Sequence, residues 1–137
     1  MDCIGIHYNE GTLPPNATSG DSRGNPNHYT RYYPTMVSTY VNAFHGTKRL
    51  CFTELGYLTP EGFGQLPDGF LWAADTSLAE QAAWIDQVVS IAANSGRVLL
   101  MIIWNVDFEN YGGGDPQAGF ALIRPGGDCP ACRALSQ

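Results

Sequence analysis

Arg49-Leu-Cys-Phe-Thr-Glu-Leu-Gly-Tyr57 is a short apolar run that carries one carboxylate near its end and breaks at a glycine. A buried strand delivers a single acid to the mouth of a sheet in this way. Two further runs finish alike: Ile4-Gly-Ile-His-Tyr-Asn9 upstream and Val98-Leu-Leu-Met-Ile-Ile-Trp-Asn105 downstream. Their ends are His-Tyr, Glu and Trp-Asn, groups suited to gripping and cleaving a polar ligand. Two segments long enough for helices separate the runs, so the strands should be parallel with right-handed connections. The long loops follow strands, whereas the short links Gly46–Arg49 and Gly96-Arg97 precede them. Function is therefore expected on the C-terminal rim of an α/β sheet.

Working outward, Asp2–Tyr8 is nearly apolar throughout, as in a strand covered on both faces. The segment 10–27 is dense in Gly, Pro, Asn and Ser, and loops of this length inside a compact domain tend to be functional. A helix is expected over Tyr32–His45. It has Pro34 in its first turn, Gly46 beyond its end, and Met36, Val37, Tyr40, Val41 and Phe44 on one face. The second strand covers Leu50–Thr53, and a loop from Glu54 to Asp75 carries Phe63, Phe70 and Trp72. Ser77 with Glu80 three residues on has the pattern of a capping box, starting a helix that runs to about Asn94 before Gly96. Val98–Trp104 is the third strand. Asp107, Glu109 and the Gly112-Gly113-Gly114 turn follow, and Phe120–Ile123 suits a short strand or an approach to a last helix.

The 137 residues make one domain. Hydrophobic residues at 44% and charged residues at 15% are globular proportions, which argues against wholesale disorder. A net charge of −6 with no basic cluster argues against nucleic acid and anionic membranes. No apolar run approaches the roughly 18 residues of a membrane span. Met1 is followed almost at once by a strand, without a basic region or cleavage site, so no leader peptide is expected and the chain reads as starting in mid-architecture. Cys3 and Cys51 begin strands and are expected to be buried thiols. Cys129-Pro-Ala-Cys132 has no second pair to complete a zinc site and does not follow the first strand of a βαβ unit, so a local disulfide is expected. With the sequon Asn16-Ala17-Thr18 it leans the chain towards export. No cofactor or metal is called for.

Phe52-Thr-Glu-Leu-Gly56 resembles the strand-seven nucleophile segment of the retaining (β/α)8-barrel glycoside hydrolases, the clan containing cellulases, xylosidases and β-galactosidases. Ile103-Trp-Asn105 resembles the end of that clan's strand eight, and Asp2-Cys-Ile-Gly-Ile-His-Tyr8 its strand six. The three motifs cover nearly the whole chain in the clan's order. The resemblance implies a partial (β/α)8 barrel acting on β-linked carbohydrate, with Glu54 as nucleophile. It implies that His7 or Tyr8 bonds the nucleophile or the sugar, and that Trp104 stacks on the ring beside Asn105. It also implies an acid/base glutamate at the end of strand four, which this chain lacks; Glu10 is the candidate substitute on the same rim.

Blander readings stand beside these. Glu54 also suits an ion pair with Arg49 or Arg97, His7 a hydrogen-bonded core histidine, and Trp104 plain core. A non-catalytic carbohydrate-binding or scaffold domain and a CxxC redox or metal protein are the competing functions. Three parallel strands with apolar edges invite pairing with another chain, so a homo-oligomer, most simply a twofold dimer, is expected.

Overall fold

The computed structural model describes residues 2–137. Strands β1 (Cys3–Tyr8), β2 (Arg49–Leu55) and β3 (Val98–Ile103) form a parallel sheet in the order β1-β2-β3, with β2 central. Helix α1 (Tyr33–Ala43) connects the first two strands and α2 (Leu78–Ser95) the last two, while the short α3 (Pro130–Leu135) closes the chain against α2. The fold is a small α/β unit with a three-stranded parallel sheet.

Each boundary has a local cause. Pro34 occupies the first turn of α1, where its missing N–H costs nothing. Ser77 and Glu80 cap α2 reciprocally: the Glu80 N–H donates to Ser77 Oγ at 3.1 Å and the Ser77 N–H to Glu80 Oε2 at 2.8 Å. Gly96 then ends α2 in the left-handed conformation at φ 65°.

One face of the sheet is the core. Ile4, Ile6 and Tyr8 of β1 and Leu50, Phe52 and Leu55 of β2 pack with Tyr33 and Met36 of α1 and Trp84, Ile85 and Val88 of α2. The opposite face is open. It carries Gly5, His7 and Thr53, together with Leu100 and Ile102, each 47% exposed. Strand one is therefore covered on one face only, although its composition suggested two. Both β1 and β3 are edge strands. Among the described residues no helix is long and apolar enough to cross a membrane.

The cysteines correct one expectation. Cys129 and Cys132 form the local disulfide, but Cys3 and Cys51 are also bonded to each other and are not thiols. Cys3 lies opposite Arg49 and Cys51 opposite Gly5, so the two cysteines stand diagonally across the β1–β2 ladder with Cα atoms 5.8 Å apart. That spacing is within the range a disulfide requires.

Candidate functional site

A β-bulge decides where Glu54 points. Ile6 pairs with Phe52, but the next residue of β1, His7, pairs with Glu54, leaving Thr53 as an extra residue in β2. Strict alternation would put Glu54 on the helix-covered face with Phe52. The extra residue re-aims it to the open face, opposite His7. The strand runs on to Leu55, so Glu54 belongs to a hydrogen-bonded strand rather than to the loop expected after Thr53.

The carboxylate is half-buried and held from β1. Asn9 Nδ2 donates to Glu54 Oε2 at 2.9 Å, and His7 Nδ1 lies 3.5 Å from the same oxygen. The carboxylate accepts only, so the asparagine must present its NH2 group to it. The partner is neither Arg49 nor Arg97 but the two polar groups that end β1. Glu54 opens onto a cavity of about 470 Å3 lined by Asn9, Glu10, Phe70, Trp72, Trp104, Gln117 and Phe120 among others. The site thus joins two acids, Glu10 and Glu54, two amides and an aromatic wall from separate segments of the chain.

Trp104 stands where the sequence placed it, at the C-terminal end of β3. Its Nε1–H donates to Gln117 Oε1 at 2.8 Å, which fixes the ring at the cavity edge. The Trp104–Asn105 peptide is cis. Gly56 lies directly beneath: a Cβ there would fall 2.2 Å from the Trp104 carbonyl oxygen and 3.1 Å from Phe120 Cδ1. Only glycine permits this approach of β2 to the cavity floor.

Two expected ligand contacts are placed elsewhere. Tyr8 is 2% exposed and packs edge-on against Tyr33 and Tyr57 on the helix side of the sheet. Alternation explains this, because Tyr8 follows His7 and must point the other way. Burial pushes the Tyr8 hydroxyl well above its ordinary range, and that of Tyr33 to about 12. Asn105 is likewise buried. It donates to the Gln117 carbonyl at 2.9 Å and accepts from the Phe108 N–H at 3.0 Å, so it ties the following loop and does not face the cavity.

The residues that sequence reasoning missed come from the long loops and from helix α2. Asp21 is buried and accepts hydrogen bonds from Arg23 and Thr12, and the adjacent guanidinium holds its carboxyl down at about 2. Its own N–H donates to the Tyr32 hydroxyl at 3.1 Å, and that hydroxyl donates to the Pro26 carbonyl at 2.6 Å. Arg23 also donates to the Glu10 carbonyl at 2.7 Å and lies 5.1 Å over the Trp72 ring, a cation–π contact that steadies one cavity wall. Glu10 is not a free acid: Arg31 Nη1 sits 3.0 Å from its Oε2. Gln81 of α2 donates to the Tyr57 and Gly119 carbonyls at 2.6 and 2.9 Å. Arg124 donates to the Glu61 carbonyl and stacks 4.4 Å over Phe63, locking the second and third loops together. The pattern Asp-x-Arg at 21–23 was a local signal for the first clasp, whereas the others join residues too far apart in sequence to be seen there.

Among the described residues no group of three or more His, Cys, Asp or Glu side chains is arranged to hold a metal ion. Comparison with protein-family models, with curated proteins and with solved structures found no match to this chain.

Proposed function

We propose that this chain is glycoside hydrolase-like and acts on O-glycosidic bonds of β-linked carbohydrate by a retaining mechanism, with Glu54 as the nucleophile. One observation carries the reading. A half-buried carboxylate at the C-terminal end of the central strand is hydrogen-bonded by Asn9 and opens onto a cavity walled by Trp72, Phe70 and Trp104. Aromatic faces suit the apolar C–H face of a pyranose, and the amides suit its hydroxyls. In the reaction a Glu54 oxygen attacks the anomeric carbon as the bond to the leaving oxygen breaks, giving a covalent glycosyl ester. Water then cleaves the ester with net retention.

The leaving oxygen needs a proton, and retaining chemistry puts its donor on a second carboxyl about 5 to 5.5 Å away. Glu10 lines the same cavity but is paired with Arg31. We therefore place the three strands within a partial (β/α)8 barrel whose missing strands and acid are supplied by assembly, from another polypeptide or from further copies of this chain. The open face with Leu100 and Ile102 and the two free edges favour a homo-oligomer, most simply a twofold dimer. The commitment of Glu10 to Arg31 also favours a second reading, a carbohydrate-binding or scaffold unit without catalysis.

An aryl β-glycoside with a good leaving group, such as dinitrophenolate, needs no acid assistance, so it isolates the nucleophile. The parent should hydrolyse it with retention seen by NMR, and Glu54→Gln should lose roughly a thousandfold or more in rate. An equal rate for the variant would remove Glu54 from the mechanism. Binding of the sugar without any turnover would favour the scaffold reading.

A further inference from the structure

We propose that the Glu54 cavity selects uncharged pyranose rings and rejects uronic acids, and that the Glu10–Arg31 pair sets this selectivity. The inference rests on the carbohydrate reading and names the substrate class of the same site. The acidic groups lining the cavity are Glu10 and Glu54. Two arginines stand close enough to balance them, and both are engaged. Arg31 Nη1 binds Glu10 Oε2 at 3.0 Å, and its Nη2 donates to the Gly24 carbonyl at 3.4 Å. Arg23 donates to both oxygens of Asp21 and to the Glu10 carbonyl, with its plane over Trp72.

A uronate differs from its parent sugar by a carboxylate in place of the C6 hydroxymethyl group. Recognition of a carboxylate calls for an available guanidinium or ammonium, best as a two-pronged contact. Here a bound uronate would meet Glu54 and Glu10 with no uncommitted cation among the lining residues, at a like-charge cost that a neutral ring escapes. The aromatic wall and the amides of Asn9 and Gln117 remain useful to a neutral ring, because they offer apolar area and hydrogen bonds without charge. Glu10 has the decisive place. Removing its charge does two things at once: it lowers the negative potential of the cavity and releases the Arg31 guanidinium towards it.

The test titrates the intact chain with two matched pairs, 4-nitrophenyl β-glucoside against β-glucuronide and the corresponding galactoside against galacturonide. Binding is followed by calorimetry and by the tryptophan indole N–H resonances. In at least one pair the neutral member should bind about tenfold or more tightly, corresponding to about 1.4 kcal/mol. Glu10→Gln should then narrow the ratio of neutral to uronide affinity several-fold. Raising the salt concentration should narrow the gap in the parent, since screening weakens the repulsion. This second readout stands even if the variant fails to fold. Uronides that bind the parent as tightly as their neutral counterparts in both pairs overturn the selectivity while leaving the carbohydrate reading intact. An unchanged ratio in folded Glu10→Gln overturns the role given to the ion pair. Failure of every sugar in both pairs, and of a wider neutral panel, removes the carbohydrate reading and this inference with it.

Discussion

Replacing Asn9 by alanine removes the one hydrogen bond donated to Glu54 by an amide, at 2.9 Å. The carboxylate then keeps only the His7 contact at 3.5 Å and gains freedom to rotate. Loss of a hydrogen bond to a charged group costs about 1.5–3 kcal/mol. If that bond orients the nucleophile, Asn9→Ala should lower kcat on an activated β-glycoside by about tenfold or more with a smaller effect on KM. A change confined to KM would assign Asn9 to substrate contact alone. Gly56 is the other sensitive position. Its methyl in Gly56→Ala would lie 2.2 Å from the Trp104 carbonyl, so backbone must move. Overpacking of this kind costs typically about 1–3 kcal/mol. Denaturant unfolding should report that loss, and an unchanged midpoint would mean that the floor of the cavity yields without strain.

At the scale of the elements, the Cys3–Cys51 disulfide and the Asp21–Arg23 clasp hold the pieces that meet at the rim. The disulfide closes a loop with a sequence separation of 48, for which loop-closure entropy gives about 4 kcal/mol. The variant Cys3→Ser, Cys51→Ser should lose about that much stability. The Cys129→Ser, Cys132→Ser variant, whose loop spans a separation of only 3, should lose far less. Asp21 makes a pH prediction. Its folded pKa of about 2 lies below the ordinary 3.8, so the clasp stabilises fully above the ordinary value and fades as pH falls through about 2. The Tm difference between parent and Asp21→Asn should therefore be largest near neutrality and close between about pH 4 and pH 2. A constant difference would assign the loss to packing instead of charge. The strands, the capping box at Ser77 and the stop at Gly96 were legible in the sequence because each depends on residues within one turn or one pleat. The bulge at Thr53 was not, since it is defined by register against Ile6 and His7 of another strand. The same holds for Cys3 and Cys51: composition says nothing of a diagonal pairing across a ladder. Tyr8 faces the helix side for a related reason: it follows His7 in the strand, and neighbouring residues point to opposite faces.

For the molecule as a whole, the weight falls on the uncovered side of the sheet. Leu100 and Ile102 of β3 are each 47% exposed, and Val106 and Phe108 beyond it are 56% and 48% exposed. Exposed apolar edges of this kind favour pairing with another chain, which is the basis on which assembly is proposed. Light scattering behind a sizing column should give a mass above the 14.9 kDa of one chain, and Ile102→Lys should shift the equilibrium towards monomer without unfolding it. A parent that stays monomeric and well folded at micromolar concentration would contradict assembly. The rim itself could be located from sequence, because long loops after strands and short links before them mark it. Its wall could not. Trp72 is set by Arg23 and Gln117 by Trp104, contacts across 49 and 13 positions of chain that only the folded molecule brings together.

The central claim is that Glu54 attacks sugar, and trapping the intermediate tests it most directly. A 2-deoxy-2-fluoro-β-glycoside with a dinitrophenolate leaving group slows both steps by withdrawing electron density from the charged transition state, but the leaving group keeps the first step faster than the second. The glycosyl ester then accumulates. Intact mass followed by peptide mapping should find one fluoroglycosyl group per chain on the peptide containing Glu54, and none on Glu54→Gln. A label on a different carboxylate, or turnover of activated β-glycosides with no label on Glu54, would contradict the account.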